Sequence, residues 1–336
     1  MRRSLPLVTL AFPLLWATWA RSERPQTVQG ADAELTIERQ KLPARPVLDA
    51  YLGPLRLEGA WQYRSPNQRI SGYSALVALK DDRLRAFSDS GEVLSFPRPP
   101  GSGSGARTMS LRFSLPRNDK AGRDVESVAF DSKTGRQWVA LEGSNRIVRL
   151  SPKLRETGHV HPAGMARWGR NSGAEAMARL RDGRFVVIRE VTTSILESRR
   201  HEALLFAGDP VDHPVAQAFH FEGPDNFSVV DMAVLPDGRA LVLMRRLLWP
   251  LPMRYAGRIV LADTAQIRPG TVWRSTPVAS LASVLPGDNF EAIAAVPGKG
   301  GRIVVWLMSD DNAMRVLQRT LLWKLSVHPA DLPSPR

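Results

Sequence analysis

The sequence predicts an all-β fold, a β-propeller, from three observations. One hairpin pattern occurs five times, most copies are followed by a further strand-like segment, and no long amphipathic helix interrupts the series. Each copy is a strand of small and aliphatic residues, a turn rich in Asp and Gly, and a second apolar strand ending in a charged residue. The copies span 71–89, 124–142, 173–190, 229–246 and 289–310. The trailing strands are expected at 92–96, 146–150, 203–206, 258–262 and 321–327. A return of three or four strands every 50 to 60 residues, roughly, is the period of propeller blades.

In chain order, residues 1–20 come first and differ from the rest. Arg2 and Arg3 precede an uncharged apolar run over 5–20, with Thr18 and Ala20 at its end and Arg21, Glu23 and Arg24 after it. This is the pattern of a secretory signal peptide cut after Ala20, so the mature chain is expected to be periplasmic or secreted. The run is shorter than the roughly 20 apolar residues of a spanning helix, and no later run is long enough, so no membrane span is expected after cleavage. Residues 21–48 are polar and proline-bearing and are expected to form a flexible leader, with the propeller domain over 49–330. Residues 55–64 read as another strand, which either completes the last blade or helps to form one more. The expected count is therefore six blades, with five the alternative. Residues 97–105, PRPPGSGSG, read as an inter-blade loop, because the repeat resumes at once beyond them.

Composition removes several function classes. The chain has 336 residues and no cysteine, which excludes disulfides, cysteine zinc sites and a thiol nucleophile. Its formal charge of +13 falls by two when Arg2 and Arg3 leave with the signal. The basic residues are scattered, with no run of five or six, so the charge is a general bias toward anions and no nucleic-acid partner is expected. Neither G-x-S-x-G nor H-E-x-x-H occurs, so neither an α/β-hydrolase nucleophile nor a zincin site is present.

Aligning the copies puts Ser74, Glu126, Glu175, Asp231 and Glu291 at one position near the start of the first strand. The first strand of a blade lines the central channel, so these residues are expected to form a ring. The antiparallel second strand returns to the same level with Asp89, Glu142, Arg189, Glu190, Arg245, Arg246 and the run 309–312, SDDN. Converging carboxylates raise one another's pKa unless cations compensate. Hard oxygen donors of this kind suit calcium, which makes Asp89, Glu126, Glu175, Glu291, Asp310 and Asp311 the candidate metal ligands. Arg189 and Arg245 either stabilise negative charge developing on a substrate or neutralise the acids as part of a structural network.

The repeats resemble the phytase-like, or esterase-like phytase, propeller family. A GLSGL-type start of that family corresponds to 71–76, its EG-[IL]-A-type starts to 126–129, 175–178 and 291–294, and its terminal SDDN to 309–312. The similarity covers about 50–327. The glycine after the glutamate is replaced by Ser127, Ala176 and Ala292, and the fourth copy carries Asp231. The resemblance implies an exported propeller that hydrolyses phosphoesters or carboxylic esters, with calcium as the implied cofactor. The alternative is a non-catalytic propeller that binds a ligand or a protein.

Overall fold

The repeats fold as hairpins because their turns are chemically specified. Gly183 and Gly238 each have φ +95°, a conformation that a residue with a Cβ enters only at a cost. The preceding aspartates lock the turn, with Asp182 Oδ1 accepting from Arg184 N at 3.1 Å and Asp237 Oδ1 from Arg239 N at 3.0 Å. The computed structural model describes residues 34–335 except 68, 102–103, 115–122, 170–171, 195–196, 249–253, 283 and 312–317. The expected signal peptide, 1–20, lies outside the described residues, as does Asn312 of the SDDN run.

The described chain opens with strand β1 (Thr36–Arg39), helix α1 (Arg45–Leu52) and strand β2 (Arg56–Arg64). Blade 1 is β3 (Tyr73–Ala78), β4 (Arg83–Ser88), β5 (Glu92–Pro97) and β6 (Arg107–Ser110). Blade 2 is β7 (Val125–Phe130), β8 (Gln137–Leu141), β9 (Arg146–Leu150) and β10 (Glu156–Val160). Blade 3 holds β11 (Ala174–Arg179), β12 (Phe185–Ser194), β13 (Glu197–Phe206) and β14 (Ala216–Glu222), and blade 4 holds β15 (Ser228–Val234), β16 (Arg239–Leu248) and β17 (Arg254–Asp263). After β17, the short β18 (Val272–Arg274) pairs parallel to β14, and β19 (Thr276–Leu281) completes blade 4. The last hairpin and its trailing strand are β20 (Asn289–Pro297), β21 (Ile303–Asp310) and β22 (Thr320–Val327).

The propeller has five blades, not six. Strand β2 pairs antiparallel to β22, with Leu57 opposite Leu325 and Ala60 opposite Trp323, and β1 adds outside it, giving the order β1-β2-β22-β21-β20. The 55–64 segment therefore closes the fifth blade, and no strands remain for a sixth among the described residues. Pairing the N-terminal strand with the C-terminal hairpin closes the ring and leaves no open sheet between the first and last blades.

Around the axis β3 lies beside β7, β7 beside β11, β11 beside β15, β15 beside β20, and β20 beside β3. The core is divided to match, one apolar cluster between each neighbouring pair of blades. Val77, Phe87, Val139 and Val148 join blades 1 and 2, and Trp138, Ile147, Met177 and Phe185 join blades 2 and 3. Phe221, Val229, Met244 and Val260 join blades 3 and 4, Leu243, Leu281, Ile293 and Leu325 join blades 4 and 5, and Trp306, Met308, Leu76 and Phe96 close the circle. Part of the segment read as a leader is built into this structure: β1 is a strand, and α1 buries Leu48 and Leu52 as it packs on β19 and β2. Full burial of one such leucine contributes about 1.5–3 kcal/mol. Among the described residues, no helix is long and apolar enough to cross a membrane.

Candidate metal centre

Each innermost strand carries a bulge at the same level. The register slips between Tyr73 and Ala75, Val125 and Ser127, Ala174 and Ala176, Val229 and Asp231, and Phe290 and Ala292. A bulge leaves one residue out of the ladder and re-aims its side chain. Those residues are Ser74, Glu126, Glu175, Val230 and Glu291. Blade 4 thus contributes Val230 to the ring, where the alignment predicted Asp231. Val230 stands seven residues before its turn aspartate, as Glu175 does, whereas Asp231 stands six. The predicted acid ring is therefore one carboxylate smaller.

Asp231, one step along the strand, does different work. Its carboxylate accepts from Met232 N and from Ile293 N of blade 5, both at 2.8 Å, and so ties β15 to β20. Ser127 holds the equivalent place in blade 2, and its Oγ donates to Ala174 O of blade 3 at 2.6 Å. Burial, opposed by the two N–H donors, pushes the Asp231 carboxyl well above the usual carboxylate range.

Opposite the bulges, the second strands bring a second set of residues to the same mouth. Asp89 N donates to Gly72 O, Glu142 N to Asp124 O and Glu190 N to Gly173 O, while Arg245 lies across from Ser228 and Asp310 across from Asn289. The second ring is therefore Asp89, Glu142, Glu190, Arg245 and Asp310. Two carboxylate triads result, Asp124–Glu126–Glu142 and Glu142–Glu175–Glu190, each with one oxygen per residue within 4.8 Å of the others. Glu142 belongs to both. Its Oε1 also accepts from Gly173 N at 3.0 Å, and a Cβ on Gly173 would lie 2.7 Å from Glu142 Cγ, so only glycine lets the blade 3 backbone approach this carboxylate.

Crowding and burial act together on these acids. The Glu126 carboxyl is pushed well above its ordinary value, first by burial and then by Glu175, Asp124, Glu142 and Asp89. Glu142 is pushed up to about 7 by burial, against the Gly173 N–H, with Asp124 and Glu190 adding to the rise. Glu175 is raised well above the usual range by burial and Glu190, while Arg245 pulls it down. Burial raises Glu190 as well, against the pull of Arg245.

Arg245 is the cation of the second ring. Its Nη2 lies 3.6 Å from Glu190 Oε1, its Nη1 pairs with Glu291 Oε1 and donates to Asn289 Oδ1 at 3.4 Å, and its guanidinium sits 5.7 Å from the Tyr255 ring centre. Asn289 Nδ2 donates to Glu291 in turn. Of the predicted site residues, Glu126 and Glu175 meet at the triads, Asp89 lies close enough to Glu126 to raise it, and Glu291 is held by Arg245 and Asn289. Asp310 is a buried member of the second ring, and the buried Asp311 lines a cavity of about 210 Å³ with Tyr63, Tyr73 and Arg319. Arg189 is not drawn into the ring. Its Nη1 pairs with Glu202 at 3.0 Å and its Nε donates to Ser172 O at 3.1 Å, because the neighbouring Glu190 takes the ring position. Asp124, Glu142 and Glu190 were missing from the predicted ligand set. Glu142 and Glu190 carried a usable signal, since each is the charged residue that ends a second strand.

At the other end the same channel changes character. It opens into a cavity of about 500 Å³ lined by 76–78, 128–130, 177–179, 232–234 and 293–295, with Lys80, Arg98 and Arg179 at its edge.

The sequence matches the family described as phytase-like, esterase-like activity of phytase, over residues 68–313. The chain belongs to the phytase-like family. No curated protein matches it. Among solved structures it is similar to hydrazine synthase of Kuenenia stuttgartiensis, with 12% identity and TM-score 0.38, covering 72% of this chain but only 57% of that one. Glutaminyl cyclase of Myxococcus xanthus gives 13% identity and TM-score 0.46, over 81% of this chain and 97% of that one. The Cps50 (Swd1) β-propeller domain of Myceliophteria thermophila gives 9% and 0.39, over 80% and 99%. The carboxylate triads lie inside the matched span.

Proposed function

We propose that this phytase-like propeller is an exported, metal-assisted hydrolase of phosphoesters or carboxylic esters, with its ion held by Asp124, Glu126, Glu142, Glu175 and Glu190. One observation carries this reading: two carboxylate triads share Glu142, and Arg245 alone in the two rings balances them. The donor set fits the ion. All donors are carboxylate oxygens, which suits calcium better than zinc, and the burial and mutual repulsion that raise the Glu126, Glu142 and Glu175 carboxyls are what a bound cation relieves. Family membership supports the same chemistry.

When bound, a divalent ion supplies polarisation of the ester oxygen and a more acidic water. The chain's own part is to aim the donors and to place opposite charge beside them. The bulges at Glu126 and Glu175 turn these carboxylates into the mouth, and Gly173 N–H fixes one oxygen of Glu142. Arg245, steadied by Glu291 and Asn289, presents a guanidinium at the rim where negative charge grows on a substrate. Arg189, bound to Glu202, has no part in this.

A non-catalytic ligand-binding propeller is the second reading, favoured by the Arg245–Glu291 pair, which neutralises part of the mouth internally. Calorimetry with calcium on the mature chain, followed by chromogenic ester and phosphoester assays with and without chelator, separates the two. Expected are calcium binding, its loss in Glu126→Gln and Glu175→Gln, and chelator-sensitive hydrolysis. Binding without hydrolysis of any ester supports the second reading, and absence of calcium binding overturns the first.

A further inference from the structure

We propose that the end of the channel away from the acidic mouth binds an organic anion with an apolar body, of the class of a medium-chain alkyl carboxylate. This does not depend on the hydrolase reading. The first strands of the five blades run from the bulges to this end, and their last paired residues are Ala78, Phe130, Arg179, Val234 and Pro297. Four of these equivalent residues are apolar and one is an arginine. Arg179 stands four residues beyond Glu175, about 13 Å along an extended strand, so this end is separate from the carboxylate triads.

All five blades line the cavity of about 500 Å³ at this end. Its volume falls within the roughly 300–1,000 Å³ of pockets that enclose small molecules. The wall is mainly aliphatic, with Leu76, Val128, Met177 and Ile293 in it, and no carboxylate lines it. Its cations are confined to one side: Lys80 and Arg98 come from blade 1 and Arg179 from blade 3, with Ser132 of blade 2 between them. Blades 4 and 5 contribute only apolar residues, from Met232 to Val234 and from Ile293 to Pro297.

The charge on the basic side is not neutralised by contact. Among the described residues, Lys80 and Arg179 make no ion pair and no side-chain hydrogen bond. Asp131 lies within the field of Arg179, but its two oxygens accept from Lys133 N at 3.0 Å and from Thr134 Oγ1 at 2.7 Å. Arg98 Nη2 donates to Leu79 O at 2.6 Å, and its Nη1 lies 3.2 Å from Asp82, whose side chain is 82% exposed, so solvent screens that pair. A half-buried guanidinium beside an apolar wall is stabilised by an anion that brings its own apolar surface. An inorganic anion would meet the cations and leave the wall of blades 4 and 5 uncovered, and a neutral apolar molecule would leave the cations unpaired. An alkyl carboxylate matches both halves.

The test is calorimetric titration of the purified protein with octanoate, acetate and 1-octanol, in chelator so that a cation at the mouth plays no part. Octanoate is expected to bind at least about tenfold more tightly than acetate, which lacks the apolar body, and than 1-octanol, which lacks the charge. Lys80→Gln/Arg179→Gln is expected to weaken octanoate binding at least about tenfold. Val234→Asp sets a carboxylate of the chain's own at the position equivalent to Arg179 on the next blade and is expected to weaken octanoate binding by a similar factor. Circular dichroism and the melting temperature of both variants are expected to stay near those of the parent. Arg245→Gln, at the opposite end, is expected to leave octanoate binding unchanged. Absence of octanoate binding, equal binding of acetate or 1-octanol, unchanged binding in either rim variant, or loss of binding in Arg245→Gln each overturns the proposal.

Discussion

Blades 3 and 4 present the same two backbone positions to the channel mouth and fill them with opposite chemistry. Blade 3 offers Glu175 at the bulge and Glu190 at the end of the second strand, and blade 4 offers Val230 and Arg245. The ladders and their bulges recur, so the backbone alone does not make the mouth acidic. One side-chain choice per blade does. Blade 4 supplies the counter-charge that Glu175, Glu190 and Glu291 all feel, and its acid, Asp231, has moved one residue along to hold two blades together.

The largest effect is expected where blade 4 uses its acid structurally. Asp231→Ala leaves the buried Ile293 N–H without its acceptor and should cost about 1–3 kcal/mol in urea unfolding, with calcium affinity unchanged. Equal losses of stability and of calcium affinity would put Asp231 back in the ring.

Next comes the counter-charge itself. Arg245→Gln removes the cation that pulls down Glu175 and Glu190, so calcium should bind about tenfold more tightly by calorimetry at pH 8. Weaker binding would show that Arg245 orders the ligands more than it competes with the ion.

The smallest effect is a slope with pH. Glu142 has a folded-state pKa of about 7 against an ordinary 4.5, so its protonated form is favoured by folding. The stabilisation is full below the unfolded pKa and is lost as pH rises through the folded one. Without calcium, the melting temperature should therefore fall between about pH 5 and pH 8, and Glu142→Gln should flatten that fall. Glu126, Glu175 and Glu190 are raised too and contribute with the same sign. A flat profile in the parent protein would mean that the triads are better solvated than their burial indicates.

Much of this was legible in the residue pattern. The five hairpins lie where the repeats predicted them, and Glu126 and Glu175 could be singled out as candidates because each stands near the start of its copy's first strand. Glu142 and Glu190 were visible as strand-ending charges, but their entry into the triads depends on cross-strand register. Asp124 lies just before a strand, and nothing in its local sequence marks it as facing Glu126 and Glu142. Arg189 and Glu190 are adjacent, and a strand sends adjacent side chains to opposite faces, so choosing between them required the register with Ala174 and Gly173.

The sequence by itself determined the hairpins, their Asp-Gly turns and the recurrence of acids near the channel, because turn chemistry and alternation of apolar residues act over a few neighbouring residues. Only the tertiary structure decided the number of blades, the exchange of Val230 for Asp231 in the ring, and the sharing of Glu142 between two triads. Each of these depends on pairing between segments far apart in the chain, Leu57 with Leu325 or Asp231 with Ile293, and non-local pairing is set by closure of the whole ring and not by any local run of residues.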